Sequence, residues 1–395
     1  MNNHKIYRNK SHAIHIFSTG TGQVYLIVSA SNNEADPREI YDQIAGIIKE
    51  MEIQILQEKV FANIPLHNIL QKAREDSFVK YGIMEDNPVV YIEGAPVWGE
   101  GFAGIQICAI ENSRLHERIW TIYDEGIPCG RGMDLDGATF LLLQNMHGSS
   151  ENNENKNNRP EQVNMMFEKT VGLLKKYNAE YKNVVCTRIY ISNILDWYDE
   201  FNLLRNAKYT ELGIIPTKSD ELITEQIYLP ASTGIRADNL FGAEALMNVL
   251  AVIKSDESEI KTAHDNGVKQ KSAYRYGSAF SRAAVISSRN DKCVLLSGTA
   301  AIDEQGKSLF PGNPREQIRK TFEVVEALLG KEGVSLKDIC HATVFLKRKE
   351  DAVIYNEVIE ELGLSDMPAV CVTADVCRDE LLFEIDAIAA VDSRN

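Results

Sequence analysis

Glu384 is set in the run Leu381-Leu-Phe-Glu-Ile-Asp-Ala-Ile-Ala. Strand alternation would put Glu384 and Asp386 on one face, with apolar residues as immediate neighbours. Burial disfavours the charged form of a carboxylic acid, so an acid in an apolar setting can deliver a proton near neutral pH and later take one back. The competing reading is an edge strand whose acids face water. A repeat sets Glu384 apart. Sixteen positions separate Pro368 from Glu384, Pro230 from Leu246 and Pro88 from Gly104. Three similar stretches end on three different residues, and only the last is a carboxylate. That pattern points to a pseudo-symmetric protein with one working site.

The elements that must position Glu384 recur with a period of roughly 135 residues, which is domain triplication and not a solenoid. Each copy shows an apolar strand first: Val24-Tyr-Leu-Ile-Val-Ser-Ala, Ala138-Thr-Phe-Leu-Leu-Leu-Gln and Cys293-Val-Leu-Leu-Ser-Gly-Thr. Helices are predicted to start near Pro37, Arg159-Pro and Pro314, each with an acid in the first turn to complement the helix dipole. Second strands follow at Ile55-Leu-Gln-Glu-Lys-Val-Phe, Val184-Val-Cys-Thr-Arg-Ile-Tyr-Ile and Ile339-Cys-His-Ala-Thr-Val-Phe-Leu. A second helix is clearest over 194–205 and from Asp351, and the proline-led strand pair closes each unit. The expected class is α+β, built from β-α-β-α-β-β units with helices against one sheet face. The expected divisions are 1–115, 116–255 and 270–395. The polar stretch 148–160 is predicted to be a mobile loop, and 254–271 a charged, solvated linker.

At 395 residues the chain can bury several cores, and its 44% hydrophobic and 25% charged content is that of a soluble globular protein. A net charge of −15 argues against a nucleic-acid partner. A small anionic ligand would therefore need a local cluster of arginine or lysine. No apolar run is long enough for a membrane span, and the first residues lack the apolar core of a secretory signal. Seven singly placed cysteines, with no C-x-x-C, fit reduced thiols and predict a cytoplasmic protein. His12 and His15 would point to opposite faces of a strand, and no H-E-x-x-H occurs, so no metal is expected. Thr19-Gly-Thr-Gly22 reads as a turn and not a phosphate loop.

The third unit resembles the Rid/YjgF family in Leu296-Ser-Gly-Thr-Ala, Ala342-Thr-Val-Phe-Leu-Lys, Met367-Pro-Ala and Phe383-Glu-Ile-Asp-Ala-Ile-Ala. The resemblance implies three tandem Rid/YjgF-like (chorismate-mutase-like) units that form a pseudo-trimer in one chain, since Rid proteins are trimers with ligand clefts between subunits. Simple Rid proteins hydrolyse enamines and imines with an arginine directly after Pro-Ala. Here that position holds Val370, Ser232 and Val90 in the three copies, which speaks against ordinary imine deamination.

A narrower resemblance is to the chorismatases. It is carried by Val376-Cys-Arg378 before Leu381-Leu-Phe-Glu384-Ile-Asp, and by Leu229-Pro-Ala-Ser-Thr-Gly-Ile, Phe201-Asn-Leu-Leu-Arg205, Cys129-Gly-Arg131 and Phe280-Ser-Arg282-Ala. It implies a cofactor-free and metal-free enzyme that releases pyruvate from the dianion chorismate. The second product would be a hydroxybenzoate, because Cys377 resembles the hydroxybenzoate-forming branch, with 3-hydroxybenzoate favoured and 4-hydroxybenzoate or the dihydrodiol left open. The implied catalytic residues are Glu384, as acid and base, and Cys377 in the ring pocket. Arg131, Arg188, Arg205, Arg282 and Lys347 are candidates for the substrate carboxylates, because guanidinium grips carboxylate bidentately. Ser232, Thr233 and Gly234 could add hydroxyl and backbone donors, and Tyr274 and Tyr276 could cover the ring. The expected molecule is a monomeric pseudo-trimer, with further dimerisation left open. A Rid-type deaminase and a non-catalytic aromatic-acid binder are the alternatives.

Overall fold

The chain is described from a computed structural model, over residues 3–84, 86–112, 118–150, 154–156, 158–216, 228–267 and 272–392. The first unit comprises β1 (Asn3–Arg8), β2 (His12–Ser18), β3 (Gln23–Ala30), α1 (Pro37–Met51), β4 (Ile53–Ala62), α2 (His67–Tyr81), β5 (Val89–Glu93), β6 (Ala95–Pro96) and β7 (Phe102–Glu111). The second comprises β8 (Ile119–Asp124), β9 (Ile127–Leu135), β10 (Ala138–His147), α3 (Arg159–Lys176), β11 (Val184–Ile191), α4 (Ile194–Glu211), β12 (Ala231–Arg236) and β13 (Ala245–Lys254). The third comprises β14 (Lys261–Asp265), β15 (Ala283–Ser287), β16 (Asp291–Ala300), α5 (Pro314–Lys331), β17 (Ile339–Leu346), α6 (Ala352–Glu361), β18 (Ala369–Thr373) and β19 (Phe383–Asp392).

Local sequence explains the long helices. Proline sits in the first turn of α1, α3 and α5, where its missing N–H is no loss. Asp36, Asn158 and Asn313 cap them, accepting from the backbone N–H of Arg38, Glu161 and Glu316. Ile40, Ile44 and Ile48 of α1, and Phe322, Val325 and Leu329 of α5, recur at helical spacing and are buried.

The sheets run β1-β2-β3-β7-β4-β5, β12-β11-β13-β10-β9-β8 and β14-β15-β16-β19-β17-β18-β6 among the described residues. In each, the strand before the second helix pairs in parallel with the strand after it: β4 with β5, β11 with β12, and β17 with β18. A helical crossover is what a parallel pair requires. The fold is α+β, with three tandem units arranged as a pseudo-trimer. Helices cover the outer face of each sheet, and the inner faces meet in the middle. One apolar cluster there joins Ile27, Phe61 and Val90 with Tyr190 and Leu246, and with Phe345 and Val370. The units close a ring: β12 packs on β16, β18 packs on β3 and β7, and β5 packs on β10. β6 leaves its own unit and extends the third sheet, with Pro96 opposite Val372.

Several details differ from the sequence reading. Each unit opens with three strands before its first helix, not one. β1 and β14 carry mostly polar residues, and their sheet bonding comes from backbone groups that any side chain permits. β14 lies within the expected linker and pairs with β15 from Lys261–Ser287 to Asp265–Ala283; residues 268–271 lie outside the described residues. In the 148–160 stretch, residues 151–153 and 157 also lie outside them. Asn155 is buried there, donating to Gly148 O at 2.8 Å and accepting from Gln162 Nε2 at 3.0 Å. His12 bonds to Ser11 and Gln43, while His15 meets His4 on the opposite face of β2. Thr19–Gly22 is a turn whose Gly20 N–H donates to Asp392 at 2.7 Å, tying the first unit to the end of the third.

Candidate active site

Register places the three repeat positions in equivalent surroundings. Glu384 stands opposite Phe345 and Ala300, Leu246 opposite Tyr190, and Gly104 opposite Phe61. Each also lies at the boundary with a neighbouring unit. At Gly104 the boundary is sealed, because a Cβ there would overlap Val28 O and come within 2.8 Å of Val370 Cγ2. At Leu246 it is filled by apolar packing that includes Val90. At Glu384 it is open. Ser232 of the second unit occupies the position that Val370 and Val90 hold elsewhere, and a cleft remains.

Four segments build this cleft. Helix α4 is kinked at Trp197 and presents Tyr198 and Arg205, seven residues apart and on one helical face. Strand β12 brings Ser232 and Gly234, whose missing side chain leaves room for Tyr198. The stretch before β15 brings Phe280 and Arg282. The loop before β19 brings Cys377, Arg378 and Leu381.

Glu384 enters through a gap in β16. The pairing of β16 with β19 slips between Leu296 and Thr299, and Gly298 falls in that slip. A Cβ at Gly298 would collide with the Glu384 carboxylate and come within 3.1 Å of the Thr233 methyl. The carboxyl is thus inserted where β16 has no side chain, and Glu384 is only 4% exposed. Burial, reinforced by the neighbouring Asp386, pushes its pKa up to about 8, with Arg188 and Arg282 opposing.

The cations around it differ in how their charge is met. Arg205 is 1% exposed, and among the described residues its only hydrogen-bond partner is Asn202, at 2.6 Å. Its Nε has none, and its guanidinium lies 5.7 Å from the Phe201 ring and 5.9 Å from that of Phe280. Arg282 is also buried, 5.4 Å from the Phe280 ring. For Arg205, a buried guanidinium without a carboxylate among the described residues is unfavourable unless a ligand supplies the anion. Cys377 is half-buried, and burial next to Glu384 pushes its thiol up to about 12, so it is no thiolate.

The remaining candidates stand apart from the cleft lining. Arg188 faces the middle of the molecule, with Nε 3.2 Å from Asp386 Oδ2 and Nη2 2.9 Å from Leu296 O. Thr233 backs Gly298 with its hydroxyl buried and unpartnered. Arg131 bridges the first and second units through Ile55 O, Asp86 and Thr121. Lys347 holds the Cys377 loop, 2.6 Å from Asp379 Oδ1 and 3.8 Å from Asp375. Tyr274 packs against the second unit's core, and the side chain of Tyr276 lies outside the described residues. Among the described residues no three histidine, cysteine or acidic side chains converge as a metal set, and no helix is long and apolar enough to cross a membrane.

Sequence reasoning missed Tyr198 and gave no site role to Phe280 or Gly298, which stood inside quoted motifs. Helical spacing back from Arg205 would have found Tyr198. A glycine inside an apolar strand, the sign of a bulge, would have found Gly298.

Comparison with known proteins bears on family and fold. Residues 272–391 match the family model "Endoribonuclease L-PSP". A RutC family protein of Drosophila melanogaster, UK114, is 34% identical over 104 residues, which are 26% of this chain and 75% of that protein. A RutC family protein of Pyrococcus abyssi is 32% identical over 97 residues, 24% of this chain and 76% of its own length. In three dimensions the chain is similar to a crystal structure of a chorismatase, with a TM-score of 0.58 and 16% identity over 85% of this chain and 92% of that one. That last likeness is one of fold.

Proposed function

The chain belongs to the RutC family, the Rid/YjgF family of its third-unit motifs, and on that footing we propose that its open cleft is a chorismatase site. The observation that carries the reading is a cleft lined by the buried Glu384 and the buried Arg205, at a unit boundary whose two sisters are closed. Chorismate brings two carboxylates and an acid-labile enol ether. Arg205 and Arg282 would take the carboxylates, with Ser232 and the backbone of Gly234 as supporting donors. Glu384, neutral at pH 7, would protonate the enolpyruvyl group and release pyruvate; as its carboxylate it would then take the ring proton lost on aromatisation. Pyruvate and hydroxybenzoate together contain all the atoms of chorismate, so no co-reactant is needed. Cys377 serves as pocket wall, and we favour 3-hydroxybenzoate as the aromatic product; for that isomer the neighbouring ring hydroxyl attacks the ether carbon as pyruvate leaves, giving up its proton to Glu384, and the resulting epoxide opens at its other carbon before the ring proton is lost. Arg188 and Thr233 would act on Glu384 from behind it, and Arg131 and Lys347 would hold the scaffold.

The ring closure of three sheets supports unit divisions near 1–115, 116–255 and 270–395 and a monomeric working form. Seven free cysteines suit a cytoplasmic setting. The test is incubation with chorismate, following pyruvate and identifying the aromatic product. Glu384→Gln should slow pyruvate release by ~10²–10⁴-fold, and wild-type turnover in that variant would refute the mechanism. Ammonia release from an amino-acid-derived imine, with chorismate left intact, would favour a deaminase instead.

A further inference from the structure

The inner faces of the three sheets enclose a second space, lined by all three units around the axis of the ring. It holds about 130 Å³. Its walls are mainly apolar, with Met133, Phe140, Leu142, Leu250, Leu295 and Ile388 among them. Into these walls projects a polar layer. Lys59 on β4 and Arg188 on β11 hold equivalent register positions, opposite Gln106 and Asn248. The third equivalent pair is Thr343 opposite Asp386.

Asp386 meets the charge of Arg188 at 3.2 Å. Lys59 is 3% exposed and has neither a hydrogen bond nor an ion pair among the described residues. His341, also 3% exposed, has no partner for either ring nitrogen. Burial disfavours the charged form of both; Asp386 opposes this at Lys59, while Lys59 and Arg188 reinforce it at His341. One lysine, one arginine and one aspartate leave a single positive charge, enough for one anion and not two. An apolar cavity of about 150 Å³ accommodates a six-membered ring, so the volume suits a compact body.

We propose that the axis cavity is a second binding site, for a small monocarboxylic acid with a compact apolar body, whose carboxylate is held by Lys59 and an N–H of His341. A dianion would bring a second charge that nothing in the layer meets. Water could satisfy His341, but it would leave the lysine to share Asp386, which Arg188 already engages. The site does not depend on what the Glu384 cleft does, and it lies on the opposite side of β19's Asp386–Arg188 pair.

Ligand-observed NMR titration of the full chain with cyclohexanecarboxylate tests it. The expected result is one molecule bound per chain, with affinity at least tenfold lower in Lys59→Met, a change that removes the charge and keeps the length. Leu142→Trp, which fills the apolar part, should abolish binding, and Arg205→Met should leave it unchanged. Absence of binding at millimolar acid, or equal affinity in Lys59→Met, would overturn the proposal. So would binding that Arg205→Met removes and Lys59→Met does not, because the acid would then occupy the cleft.

Discussion

A carboxyl that titrates near 8 is mostly protonated at pH 7, and this decides which role Glu384 can take first. Turnover that starts with a proton from Glu384 should have a kcat/KM profile that falls as pH rises through about 8, and a pH-rate series on the wild-type chain checks it. The same shift has a consequence for stability. The folded chain keeps a proton on Glu384 that the unfolded chain gives up near the ordinary glutamate value, so between about 4.3 and 8 stability falls as pH rises. Glu384→Gln should therefore raise Tm at pH 8 and change it little at pH 4, with a gain on the order of a few kcal/mol. Arg205→Met should raise KM for an anionic substrate by at least tenfold, without lowering Tm, because it removes a buried charge that lacks an acid partner. Sequence could nominate these residues from type and motif. It could not separate Arg205 from Arg131 or Lys347, because what distinguishes them is the partner. Asp86 meets Arg131 from another unit, and Asp379 meets Lys347 from a distant loop.

The strand slip at Gly298 is the element on which the cleft depends. Gly298→Ala would push the Glu384 carboxyl or the Thr233 methyl aside. The expected outcome is a loss of activity larger than the ~1–3 kcal/mol loss of stability that overpacking brings, read by comparing kcat with a thermal melt. Gly172→Ala in α3, where the space around the new methyl is open, is the contrast, and it should stabilise by about 0.5–1 kcal/mol. The elements themselves were legible to different degrees. Helices α1, α3 and α5 were legible through the proline and acid of the first turn and through their period. The strands next to them did so through unbroken apolar runs. β1 and β14 did not, because Asn-His-Lys-Ile-Tyr-Arg and Lys-Thr-Ala-His-Asp carry no buried face to read, and their places are set by the strands they pair with.

Across the whole molecule, three boundaries share one geometry, and only at Glu384 does the repeat position carry an acid, with Arg188 and Arg282 acting on it. Leu246→Glu would bury a carboxylate against Val90, Tyr190 and Ile235 with no cation among them, so several kcal/mol of stability should be lost and no second active cleft gained. The melt of that variant, and its turnover relative to wild type, are the measurements. The units should also unfold together. β6 of the first is hydrogen-bonded into the sheet of the third, Gly20 reaches Asp392, and the central apolar cluster belongs to all three. Calorimetry should record one transition, and two well-separated ones would show that these contacts carry little of the stability.

The sealed boundaries at Gly104 and Leu246 have an implication for how such a protein can change. In a ring of three identical subunits every substitution is written three times, so an acid placed in one cleft is placed in all. Three desolvated carboxyls would then burden a single small assembly. Joining the copies in one reading frame removes that coupling. Each interface can drift by itself, two of them toward tight packing that holds the ring shut, and the third toward reactivity that packing alone would select against.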